Sequence, residues 1–222
     1  MKTICTIISI FLVALLTTAT NAQTINWAAV RPDQKHIINA NIGWDYAATY
    51  GIGYAYKFNT KIPFTMGGQA SVPAGENLAD DFKTKLGTEV RVFRSGDFQT
   101  SVTIYGIFRQ YQSTLVTLRN FGSEFIGIAG LYRPKWFVAA EFGFDKAITT
   151  HVRGRELNKE HYPSFQDGWY VPTGGNFVYG IQTGYSMKSM DVYVKVGKTV
   201  DQYFKSTAMV PFYFQFGVNG KF

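Results

Sequence analysis

Hydrolysis by side chains alone needs a nucleophile or activated water, a base to take its proton, and an acid to orient that base. Few residues are placed to fill those roles: His151, His161 and Ser164, with the acids Asp80, Asp81, Glu156, Glu160, Asp167 and Asp201. They do not form a usable pattern. His161 and Ser164 share a segment, but no His–Asp pair stands at close spacing. Asp80 and Asp81 are adjacent, so on a strand they would point to opposite faces. A zinc site is not expected, because His36 should lie far from the other two histidines. The single cysteine is Cys5, close to the N-terminus. No catalytic set, metal or cofactor is expected.

Two further groups of residues could bind rather than react. The first is a set of charges scattered through apolar sequence: Lys57, Lys85, Glu89, Arg91, Arg109, Glu141, Asp145 and Lys195. Each alternates with apolar neighbours, which puts the charges on one face of a strand and the apolar residues on the other. The second lies in residues 149–174, where Arg153, Arg155, Lys159, His161, Tyr162, Phe165, Trp169 and Tyr170 mix basic and aromatic groups. Such a mixture suits a recognition surface. A solvated loop with no partner would look the same.

Strands must position both groups, because no helical period of useful length appears and a two-residue alternation recurs throughout. It predicts strands at about 35–44, 47–57, 62–72, 83–93 and 98–111, one ending near Tyr132, and others at about 136–147, 176–187, 190–199 and 212–222. In the second, Tyr50, Ile52, Tyr54 and Tyr56 oppose Gly51, Gly53, Ala55 and Lys57. The sixth is ambiguous: either Ile126 and Ile128 or Phe125 and Leu131 could form its outward face. Residues 23–33 read as a loose leader. Turns near 59, 95, 134 and 188 are short, and they alternate with connections near 45, 76, 112, 160 and 203 that include the two longest. Trp44, Tyr46 and Tyr111 fall near one set of strand ends, and Phe58, Phe93, Phe98, Tyr132, Trp136 and Phe222 near the other.

The ends of the chain supply a destination. Lys2, the apolar run Ile4–Leu16 and Thr20-Asn21-Ala22 have the layout of a Sec signal peptide over 1–22, with 23–222 as one mature domain. The run is too short to span a bilayer as a helix. At the other end, Phe212, Phe214, Phe216, Val218, Gly220 and Phe222 make an uncharged strand face ending in a terminal phenylalanine. This combination resembles small bacterial outer-membrane β-barrels, and the resemblance implies that Phe214, Phe216 and Phe222 form the signal read by the barrel assembly machinery. The expected fold is all-β, a transmembrane antiparallel up-and-down barrel of about ten strands, or eight or twelve if a hairpin is misread. Short turns on one side and longer loops on the other place both termini in the periplasm. Composition agrees: 17% aromatic, 17% charged and near-neutral mean hydropathy suit a barrel, in which only alternate residues meet lipid. The formal charge of +7 fits lipopolysaccharide or a charged lumen, and the export signal argues against nucleic acid.

Three functions follow from this frame. The leading one is a non-enzymatic structural or interaction barrel that presents external loops, chiefly 149–174, to an envelope partner. The second is a narrow passive channel, and the third an outer-membrane hydrolase. In a narrow bore, Lys85, Glu89, Arg91, Arg109 and Glu141 could form a paired network that plugs the lumen or simply hold the interior together; the functional alternative is that they line a narrow, ion-passing pore.

Overall fold

The structure is a computed structural model that describes residues 24–75, 80–172, 174–204 and 207–222, and of 207–210 the backbone alone. The expected signal peptide lies outside the described residues. Among the described residues, eleven strands and one short helix form: β1 (His36–Trp44), β2 (Ala48–Phe58), β3 (Phe64–Pro73), β4 (Phe82–Ser95), β5 (Phe98–Gln112), β6 (Val116–Tyr132), β7 (Trp136–Gly154), α1 (Glu156–His161), β8 (Gly168–Tyr170), β9 (Gly175–Ser186), β10 (Met190–Asp201) and β11 (Thr207–Lys221). Each pairs antiparallel with its neighbour, and β1 closes onto β11 from Ile37↔Lys221 to Trp44↔Phe214. β9 pairs with β7, so β8 stands outside the ring and ten strands make the wall. Closure bonds every wall strand on both sides, as a sheet in hydrocarbon must be.

Alternation sets the two faces. Ile38, Ile52, Met66, Leu86, Ile104, Phe142, Ile181 and Phe214 are exposed on the outside. Asn39, Asn41, Gln69, Glu89, Thr103, Glu141, Gln182 and Asn219 are buried within. The fold is therefore inverted relative to a water-soluble domain. Its apolar interior cluster is small: Tyr105, Ile107, Ile126, Ile128, Tyr132, Phe137, Ala139 and Tyr193. Glycines make room for the inward rings. A Cβ at Gly217 would strike the Tyr193 ring, and one at Gly180 or Gly197 would strike Tyr213.

The sixth strand resolves with Phe125 and Leu131 outward and Ile126 and Ile128 inward. Glu124 decides this. It shares a face with Ile126 and Ile128, and a carboxylate facing lipid costs far more than two isoleucines facing each other inside.

Three expectations need correction. β7 continues seven residues beyond 147, so the first part of the expected loop 149–174 is strand, bonded to β6 as far as Val116↔Gly154. A bulge at Ile148, opposite Phe121/Gly122, lets the hairpin bend there and continue past the ring. Two aromatics expected near the strand ends, where they would face the membrane interface, face inward instead: Tyr132 is buried against Phe137, and Tyr46 hydrogen-bonds the Ser71 carbonyl from the mouth. Phe93, Phe98, Trp136 and Phe222 do face out. Finally, the leader is not loose: Thr24, Ile25, Asn26 and Trp27 are all buried.

Candidate functional site

The barrel has two unlike ends. Residues 59–63, 96–97, 133–135 and 187–189 connect strands at the end that carries both termini. The connection 155–174, with α1 and β8, stands at the other, the loop end. From the loop end a cavity of about 670 Å³ runs down the lumen to Thr24.

Its charged lining is held in pairs. Lys85 Nζ lies 2.5 Å from Glu124 Oε2, Lys195 Nζ lies 2.9 Å from Glu141 Oε2, and Arg109 Nη2 pairs with Asp145. Each pair joins strands two apart in the ring, β4 to β6, β5 to β7 and β7 to β10. A pair across the diameter would join strands five apart. The pairs therefore follow the wall and do not span the bore, unlike the network across the lumen that would plug it. Tyr213 donates to Glu141 Oε1 at 2.6 Å, and Arg109 Nη1 donates to Asn120 Oδ1 at 3.0 Å, fixing two of the pairs from a second side. At the mouth, Lys83 Nζ lies 2.5 Å from Asp45 Oδ2 in the β1–β2 turn. Desolvation by the surrounding wall would raise the Asp45 carboxyl, but Lys83, with Lys85 and Arg109 farther off, outweighs it and holds the group at about 2. The Asp45 side chain keeps 51% of its surface, so the ammonium acts on a group that still meets solvent.

The N-terminal segment blocks the terminal end. Trp27 Nε1 donates to Glu89 Oε1 at 2.7 Å, and the Arg91 guanidinium sits 5.7 Å from the Trp27 ring. Asn26 Nδ2 donates to the Arg133 carbonyl and to Ser186 Oγ; Asn219 Nδ2 donates to the Thr24 carbonyl. Below these, Lys57 Nζ donates to the Arg31 carbonyl at 2.7 Å, and Gln34 Nε2 to those of Lys188 and Lys221. The segment thus crosses from β4 to β9 and β11 and is bonded on several sides.

Of the charges expected in the lumen, Lys85, Glu89, Arg109, Glu141, Asp145 and Lys195 line the cavity, while Arg91 and Lys57 serve the N-terminal segment. Sequence reasoning missed Lys83 and Asp45, and missed Glu124 because the register of β6 was open. It also missed Asp191, whose fully buried pair with Lys221 (2.7 Å) lies near the seam. Both sit at inward positions of strands whose alternation was legible.

The residues of 149–174 are not gathered into one surface. Arg153 follows His151 on the outer face of β7, where the His151 ring meets Trp169 at 4.9 Å. Tyr170 pairs with Thr150, on the inner face above the mouth. Arg155 Nη1 donates to the Ser113 carbonyl. His161 ends α1 with Nδ1 at the Leu157 carbonyl, and Tyr162 is exposed beyond it. Asp167 accepts the Gly154 N–H, and this bond, with Lys159 nearby, lowers its carboxyl from the ordinary value. No group of three His, Cys, Asp or Glu able to hold a metal occurs among the described residues.

No family model matches the chain, and no curated protein matches it. Among solved structures it is similar to the KdgM porin in complex with disordered oligogalacturonate, at 9% identity and a TM-score of 0.43, over 84% of this chain and 99% of that one. It is similar to the KdgM porin itself at 9% identity and a TM-score of 0.44, with the same coverage.

Proposed function

We propose that this barrel is a narrow passage for small polar solutes across the outer membrane, with both termini in the periplasm and the N-terminal segment as its constriction. The observation that carries the reading is the course of the ion pairs: they run along the wall, and a cavity open at the loop end remains inside them. A barrel needed only as a rigid wall has no use for a charged, water-accessible bore; apolar side chains would fill it more stably. Low internal charge mobility suits selection, because each carboxylate and ammonium is held in place by its partner. The orientation is supported by the four short turns at the terminal end and the long β7–β9 excursion at the other. The reading is non-enzymatic, in keeping with His161 and His151 being engaged with Leu157 and Trp169.

Planar-bilayer recording tests it. The mature chain is expected to show small, interrupted steps, and a form lacking residues 24–30 larger and longer ones. Silence from both forms, correctly folded, would leave the passage without support. The exposed Trp169, held on the short strand β8, favours a second reading in which the β7–β9 excursion engages an envelope partner. Co-purification in mild detergent with and without Trp169→Ala would test that.

A further inference from the structure

Several residues of the cavity wall carry polar atoms that are buried without a partner. Buried side-chain atoms without a hydrogen-bond partner among the described residues include Glu89 Oε2, Asp145 Oδ1, Gln182 Oε1, and the hydroxyls of Thr24 and Thr103. All five residues line the cavity. The unpartnered donor Gln99 Nε2 does not. Glu89, Thr103 and Gln182 are each at most 2% exposed. Glu89 and Thr103 are directly paired on β4 and β5, and Gln182 stands on β9, four strands round the ring from β4 and three from β5.

Glu89 is the centre of this set. Its Oε1 accepts from Trp27, while Oε2 meets no hydrogen bond of good geometry among the described residues, the Ser101 hydroxyl being its neighbour. Among the described residues it makes no ion pair within 4 Å. The four cations that line the cavity are committed elsewhere: Lys83 to Asp45, Lys85 to Glu124, Arg109 to Asp145 and Lys195 to Glu141. A carboxylate with a spare oxygen, beside a hydroxyl and with an amide oxygen farther round the ring, is matched by a ligand that brings several N–H donors and a positive charge. A carboxylate ligand would meet the like charge of Glu89, with only the Thr24 and Thr103 hydroxyls free to donate to it.

We propose that the lumen is a site for small organic cations, with a ligand ammonium seated at Glu89 between Thr103 and Gln182. This names the solute class for the passage proposed above and rests on that reading of the cavity. The chain's formal charge of +7 would suggest the opposite preference; the lumen departs from it because six carboxylates and four cations line the cavity.

The test is calorimetric titration of the folded full mature chain in detergent with two probes of equal length and opposite charge, 1,4-diaminobutane and succinate. Binding of the diamine and none of succinate is expected. Glu89→Gln should weaken diamine binding at least about tenfold, since a charge-assisted contact becomes a neutral one; its amide oxygen still accepts from Trp27. Thr103→Val should weaken it less, and serves if Glu89→Gln does not fold. Succinate binding as tight as the diamine's, no diamine binding, or an unchanged constant in folded Glu89→Gln would each overturn the proposal. Bilayer reversal potentials in a KCl gradient separate the two readings. Diamine binding with no conductance removes the passage and leaves the site; conductance with chloride preference removes the cation site and leaves the passage.

Discussion

Replacing Trp27 with alanine tests whether the N-terminal segment is a constriction or a fixed part of the wall. Trp27 is 6% exposed, its indole N–H is held by Glu89, and its ring lies under the Arg91 guanidinium. Truncating a buried tryptophan removes about 3 kcal/mol or more of packing, and the Glu89 contact is lost with it. The loss falls on docking of the segment and not on the ring, because the strand pairings, including the β1–β11 seam, involve no atom of Trp27. A change of about 3 kcal/mol moves the docked-to-undocked ratio by roughly two powers of ten. In planar bilayers the conducting fraction of time should therefore rise by up to about a hundredfold, while heat-modifiable gel mobility stays that of the parent. Folded Trp27→Ala with unchanged traces would refute the assignment.

Other outcomes follow from the same geometry. Lys221→Met strands Asp191 in a fully buried site and should destabilise the barrel by about 3–5 kcal/mol, read as a lower urea midpoint of unfolding in detergent. Removing Phe222 deletes the bonds by which Lys35 and His36 donate to its carbonyl and by which it donates to His36, so the yield of folded, heat-modifiable protein should fall; an unchanged yield would count against Phe222 as part of an assembly signal. Asp45, held at about 2 against an ordinary 3.8, contributes stability that is present above pH 3.8 and lost as pH falls through 2. A carboxyl NMR titration should show that midpoint in the parent and a higher one in Lys83→Met. Arg109→Ala leaves Asp145 without its cation and should increase potassium over chloride preference in reversal-potential measurements.

Period-two alternation was enough to read the ten wall strands and the inward position of Lys85, Glu89, Arg109, Glu141, Asp145 and Lys195, while the barrel came from the resemblance carried by the two ends of the chain. Alternation is local: whichever strand a residue pairs with, its neighbours in sequence lie on the opposite face. Glu124 escaped because both faces of β6 carry apolar residues; its charge settles the side, in agreement with its pairing to Tyr105 and Asp145. The length of β7 escaped because Thr149, Thr150 and His151 lack lipid-facing contrast once the strand has left the membrane band.

What the sequence determined by itself was the wall: which residues alternate, where turns interrupt them, and that an apolar face must be covered by lipid. Tertiary structure alone decided what fills the wall. Whether charges meet across a bore or along it depends on which strands become neighbours after closure, and here that separation is two strands. Residues 24–34 show no period, so nothing local marks them as structured. They are fixed by partners far away in the chain, Glu89, Arg133, Ser186 and Asn219, that exist as one site only when the ring has closed.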